Sequence, residues 1–191
     1  MEDPVKEVPD VIKHLTQTPP SVQRATIETY FTPSASFTHP LCRTGSFANS
    51  TVNSRWFIWM IYRWYKIMSP RIELEVSSVA YDAQTLRLYV SLSQIFRIFI
   101  FPWFRAHVEL VTVLQLTRDK PTGKYLISSQ NDLYQVNEIF KFADFFVPVG
   151  QAVVFVAQVV GTLASALLAL LFWPVSWAEE RVLPPNKMPL G

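Results

Sequence analysis

Only one cysteine (Cys42), three histidines and five glycines occur among the 191 residues. A lone thiol excludes internal disulfides and fits a reducing compartment. The scattered histidines show no metal-ligand spacing, so neither a metal nor any other cofactor is expected. So little glycine leaves no phosphate-cradling loop, and there is no nucleophile elbow. A surplus of one charge is also missing: the net charge is +2, which does not point to nucleic acid. The opening MEDPVKEVPDVIKH has no apolar run, so no secretory signal is expected.

What the chain has in abundance is apolar sequence near its end. Residues 145–178 contain no charged side chain, and 152–173 read AVVFVAQVVGTLASALLALLFW. As a helix, 151–173 would extend roughly 34 Å, enough for a hydrocarbon core of about 30 Å. Three placements follow: a spanning helix, a hairpin or in-plane insertion bent near Gly161, and a buried helix of a soluble core. Length favours the span, because a core helix in a domain this size rarely stays apolar all round for so many turns. Trp173 and Trp177 stand where interfacial aromatics are expected. Lys141 and Asp144 before the segment, and Glu179, Glu180, Arg181 and Lys187 after it, balance in charge and give no orientation. The arrangement is that of a tail anchor with its body in the cytosol, on the endoplasmic reticulum or a lipid droplet. Ala157, Gly161, Ser165 and Ala169 recur every four residues and form a small-residue stripe suited to self-association or a membrane partner.

The body divides by period. Residues 1–16 are a mostly polar lead with Val5, Val8, Ile12 and Leu15 at helical spacing. Thr18 as cap and Pro19 as first residue predict a helix up to Phe31, with Val22, Ala25, Thr29 and Tyr30 on one side. A short strand follows over 35–39, then a loop over 40–49. The second helix spans 50–68, capped by Asn49 or Ser50, with Val52, Trp56, Trp59, Met60, Trp64 and Ile67 on one face. Phe57, Ile58, Ile61, Tyr62 and Tyr65 cover another, so this helix is covered on several sides. After Pro70 the period becomes two: Ile72, Leu74 and Val76 alternate with charged residues, and the phase slips at Ser77-Ser78, which predicts a bulge. Strands over 86–93, 107–117 and 124–133 complete an antiparallel meander. The fold class is α+β, with N-terminal helices packed on one face of the sheet.

Tyr30-Phe31-Thr32-Pro33-Ser34-Ala35-Ser36-Phe37-Thr38-His39-Pro40, together with the element order, resembles the nuclear transport factor two-like superfamily of SnoaL-type cyclases and ketosteroid isomerases. The closing strand Ile127-Ser128-Ser129-Gln130-Asn131-Asp132-Leu133-Tyr134 is similar to that superfamily's last strand, which often carries an acidic residue. More narrowly, YFTPSASFTHPLCR, a Trp-rich helix and an apolar tail resemble a fungal SigF-like subgroup. The resemblance implies a curved sheet wrapped into a cone around an apolar cavity. It implies a ligand pocket of Tyr30, Phe37, His39, Trp56, Trp59 and Asp132, with His39, Asp132 and Tyr30 as candidates for acid/base work. A carboxyl or imidazole in such a pocket has its pKa moved by desolvation. Ketosteroid isomerases carry an Asp around the strand where this chain has His39, which argues against isomerase activity.

The bland readings stand beside these. His39 before a proline satisfies a turn, and Asp132 bonds backbone or an arginine. His107 and Glu109 share a strand face, and Cys42 beside Arg43 is a lone loop thiol. The connection between the second and third long strands, Arg97-Ile98-Phe99-Ile100-Phe101-Pro102-Trp103-Phe104-Arg105, places seven apolar positions between two arginines. It is either a lid on the cone or a finger whose Phe99, Phe101, Trp103 and Phe104 enter the headgroup region. The expected organisation is a lead (1–17), an α+β domain (18–144), a hydrophobic segment (145–178) and a polar tail (179–191). Three functions follow: a membrane-attached module binding a lipid or other hydrophobic small molecule, a scaffold with a filled cavity, and a lyase, cyclase or isomerase.

Overall fold

A computed structural model describes residues 1–49, 52–97, 103, 105–135, 138 and 150–174. Asp3 opens the first helix, α1 (Pro4–Gln17), by accepting from the Lys6 amide, and Pro4 occupies the first turn, where its missing N–H is no loss. Val8, Val11, Ile12 and Leu15 line one face and are all buried. The stretch set ahead of the domain in the sequence therefore contributes core. Thr18 closes α1 and Pro19 caps α2 (Pro20–Tyr30), so the second helix begins one residue later than expected. Its buried side is Gln23, Thr26 and Ile27, while Val22 stays exposed. The difference turns on Gln23, whose amide donates to the Leu15 carbonyl at 2.7 Å. That bond satisfies one of the acceptors left open at the end of α1 and rotates α2 toward its polar side.

β1 (Phe31–His39) follows, with β2 (Cys42–Arg43) folding back on it inside the stretch expected to be loop. The third helix, α3 (Ser54–Met68), is capped by Asn53, whose side chain accepts from the Trp56 amide at 2.9 Å. The cap is thus neither Asn49 nor Ser50, and Ser50 lies outside the described residues. Ile58 and Tyr62 face inward, whereas Trp56, Trp64 and Ile67 are exposed. Trp59 is half-buried, with the guanidinium groups of Arg24 and Arg63 5.2 and 5.7 Å from its ring.

β3 (Glu73–Asp82), β4 (Arg87–Phe96), β5 (Ala106–Arg118) and β6 (Tyr125–Tyr134) form the meander, and the sheet order is β2-β1-β6-β5-β4-β3. β3 breaks register between Val76 and Ser78, the bulge expected from the phase slip. The sheet is mixed: β1 runs parallel to β6, with Phe37 beside Gln130 and Thr38 beside Asn131. This follows from connectivity, since α3 carries the chain to the far edge and the four-strand meander returns to β1 in the same direction. Gly123 takes φ 69° in the turn between β5 and β6, a conformation glycine adopts without a Cβ penalty.

The apolar end segment forms a helix, α4 (Gly150–Leu171). Within it, the 20 residues Ala152–Leu171 are long and apolar enough to cross a membrane by length and composition, and none of them is buried. Trp173, just past the helix, is exposed. Trp177 lies outside the described residues.

Candidate functional site

Strand register builds the site row by row on the inner face of the sheet. Gln130 pairs with Leu114, then Asp132 with Thr112, then Tyr134 with Leu110 and Leu92. Farther out, Gln94 pairs with Leu74, and Phe96 ends β4. Ile12, Leu15 and Thr16 of α1, and Tyr62, Tyr65 and Met68 of α3, cover these rows. The resulting cavity is about 410 Å³, and His39, Leu41 and Ile72 complete its lining. Its deep rows are polar and its outer rows mainly apolar, with Gln94 among them. That volume falls within the range of small-molecule sites, about 300–1,000 Å³.

Asp132 anchors the polar floor. Thr112 Oγ1 donates to Asp132 Oδ1 at 2.8 Å, and Gln130 Nε2 donates to the same oxygen at 2.9 Å. Among the described residues no hydrogen bond reaches Oδ2, although the carboxyl lines the cavity. The Tyr62 hydroxyl lies against the Gln130 amide from the helix side, accepting from Nε2 at 2.8 Å and standing 3.0 Å from Oε1, to which it can donate. Gln94 Nε2 donates to the Tyr134 hydroxyl at 3.1 Å, and the Tyr65 hydroxyl meets Cys42 Sγ at 3.2 Å.

No lysine or arginine lines the cavity among the described residues, and the titrations reflect this. Burial pushes the Asp132 carboxyl up to about 6, against the pull of its bonds from Gln130 and Thr112. Burial likewise lowers the His39 imidazole to about 4, so it is neutral near pH 7. The hydroxyls of Tyr62, Tyr65 and Tyr134 are all raised, chiefly by burial. His39 Nδ1 accepts from the Leu41 amide at 3.2 Å, which leaves the proton on Nε2. The ring stands 5.0 Å from Tyr134 and 5.5 Å from Tyr65. With Nδ1 engaged in the turn, His39 is a donor and a wall of the cavity rather than a general base.

Of the residues expected in the pocket, the structure brings His39 and Asp132 together. Phe37 is fully buried behind the wall, with its ring 6.0 Å from Tyr62. Tyr30 points elsewhere, into a cleft with Glu28, Pro33 and Arg55. Trp56 and Trp59 line another cleft on the outer side of α3 with Arg24 and Glu28. The two tryptophans share a cause: α3 turns Ile58 and Tyr62 inward, so Trp56 and Trp59 lie on its outer side. Residues the sequence reading passed over supply the floor. Gln130 and Tyr134 flank Asp132 at the two-residue period of a strand, and that spacing was the available signal. His107 and Glu109 are exposed on the opposite face, where they pair with Ile95 and Ser93. Among the described residues, no three of His, Cys, Asp and Glu stand together to hold a metal ion.

Solved structures of the same fold extend over most of the body. A ketosteroid isomerase-like protein from Catenulispora acidiphila, crystallised with trimethylamine, is 15% identical with a TM-score of 0.50, over 69% of this chain and 90% of that one. AusH from Aspergillus nidulans is 9% identical with a TM-score of 0.50, over 69% of this chain and 82% of its own. An epoxide hydrolase from M. tuberculosis is 13% identical with a TM-score of 0.48, over 76% and 99%. No curated protein matches the sequence. The family profile of the SigF NTF2-like domain matches residues 1–177, a span that takes in α1 at one end and α4 at the other. The chain belongs to that family, the SigF branch of the NTF2-like fold.

Proposed function

We propose that this protein is a membrane-attached module that holds a lipid or other hydrophobic small molecule in its cavity. An NTF2-like cone commonly takes such molecules, and this one has mainly apolar walls over a polar floor. The observation that carries the reading is the alignment of the cavity with the apolar parts of the chain. Phe96 pairs with Ala106, so the connection 97–105 leaves the sheet beside the outer, mainly apolar rows. Tyr134 pairs with Leu110, so the chain leading to α4 departs from the same end. Leu41, at the rim, and Trp103, inside the connection, are both strongly exposed there. Phe99, Phe101 and Phe104 lie outside the described residues. A bilayer crossed by α4 would meet this end of the cone, and an apolar ligand would then pass between acyl chains and cavity without crossing water. Purified full-length protein, analysed by native mass spectrometry with extraction of bound lipid, tests the proposal. A retained apolar molecule, lost when Leu92 and Leu110 are both changed to Trp to fill the cavity, is the expected result.

A catalytic reading has one observation in its favour. Asp132, titrating near 6 beside an apolar space, has the acidity that proton transfer near pH 7 requires. In that reading Asp132→Asn would retain the ligand and abolish its conversion.

A further inference from the structure

The floor of the cavity says which chemistry the ligand's polar end must have. Asp132 Oδ1 already accepts from Thr112 and Gln130, and Oδ2 has no partner among the described residues. The carboxyl is buried, at 9% exposure, and lines the cavity. Above about pH 6, where this carboxyl is ionised, a group placed there has to donate a hydrogen bond. Around it stand the hydroxyl-bearing rings of Tyr62, Tyr65 and Tyr134 and the amide of Gln130, groups able both to give and to take.

Charge narrows the choice. With no lysine or arginine in the lining among the described residues, a carboxylate or phosphate would sit unpaired beside another acid, and its desolvation would go uncompensated. An ammonium would have one carboxyl as counter-ion, while its other protons would point at rings and aliphatic rows. One partner does not offset the desolvation of two charges. A neutral hydroxyl both donates and accepts and brings no charge. Beyond it the lining is mainly apolar, with Leu110, Leu92, Leu74, Phe96 and Ile72, and the Gln94 amide there is tied to the Tyr134 hydroxyl, so the rest of the molecule is hydrocarbon and points toward the end from which α4 departs.

Resting on the reading of this cavity as a ligand site, we propose that it selects a neutral lipid bearing one hydroxyl, bound hydroxyl-first against Asp132 Oδ2 with its apolar body extending outward. Long-chain alcohols, sterols and diglycerides share that chemistry, whereas fatty acids, phospholipids and lipid amines do not.

The test uses full-length protein at pH 8 in an uncharged detergent and four probes built on a ten-carbon chain: 1-decanol, decanoate, decylammonium and decyl methyl ether. Each is titrated separately by native mass spectrometry. Decanol is expected to bind at least about tenfold more tightly than the other three. Decanoate or decylammonium binding as well as decanol overturns the proposal, as does equal binding of the ether, which accepts but cannot donate. Failure of all four to bind sinks the ligand-site reading itself, a separable outcome. Asp132→Asn supplies the second arm. Thr112 and Gln130 hold its amide oxygen in the place of Oδ1, so an NH2 donor replaces the open acceptor. In that variant the ether should bind at least as well as decanol, and an unchanged preference for the alcohol would overturn the assignment.

Discussion

At the residue scale, Asp132 and His39 are two buried titratable groups whose effects on stability oppose each other. Between about pH 4 and 6 the folded protein keeps the Asp132 proton that the unfolded chain has released. This carboxyl therefore favours the fold in acid, and its contribution fades as pH rises through about 6. His39 works in the other direction: between about pH 6.5 and 4 the unfolded chain takes up a proton that the folded protein refuses. Its contribution is present above 6.5 and is lost as pH falls through about 4. Because the two windows overlap, stability measured by urea denaturation should be nearly flat between pH 4.5 and 6 as far as these groups go. Each single variant unmasks the other group. Asp132→Asn should lose stability on acidification, and His39→Gln should gain it. At pH 8, Asp132→Asn should be more stable than the wild type by on the order of 2–3 kcal/mol, the cost of keeping a charge in the cavity floor. Parallel pH profiles for wild type and both variants would show that neither group is buried as described.

At the element scale, α3 decides which of its aromatic residues line the cavity. Its inward face is Ile58 and Tyr62, fixed by a start at Ser54 under the Asn53 cap. Asn53→Ala removes the acceptor for the Trp56 amide and should cost about 1 kcal/mol in thermal or chemical unfolding. Ile58→Ala, at a fully buried position, should cost about 2–5 kcal/mol. If the alanine at 58 is tolerated and one at exposed Trp64 is not, the facing of the helix is wrong. The same helix marks the limit of what the sequence discloses. Strand alternation located β3 to β6 and even the bulge after Val76, because a sheet with one buried face writes its period into the chain. A helix apolar around most of its circumference carries no such record, so Trp56 and Trp59 looked as eligible for the pocket as Tyr62. α1 was misjudged for a related reason: its core residues alternate with Lys6, Glu7, Asp10 and Lys13, and only packing against the sheet shows that Ile12 and Leu15 roof the cavity. Asp132 was legible through its family resemblance. Its hydrogen-bonding floor required the pairing of β5 with β6, which no local pattern contains.

At the scale of the whole molecule, the body's most exposed apolar side chains belong to segments near the mouth of the cavity. Leu41, Trp64, Ile67 and Trp103 are all at least 50% exposed and belong to segments adjoining the outer rows of the cavity. Arg43, Arg63, Arg71 and Arg105 are exposed among them, an arrangement in which rings enter the interfacial region while guanidinium groups meet phosphates. α4 would supply most of the attachment, since an unburied apolar helix of 20 residues inserts far more firmly than a few aromatic side chains. Deleting residues 145–191 should therefore move the protein from the membrane pellet to the supernatant after cell fractionation. The cluster should leave a weaker residual affinity, visible as co-sedimentation with vesicles of 30% anionic lipid. Trp103→Ser in the truncated protein should reduce that residual binding severalfold, while raising salt from 0.1 to 0.5 M reduces it only in part, because screening weakens the arginine contacts and not the burial of rings. A truncated protein that still pellets like the full chain would place the anchor in the body and leave α4 without its role.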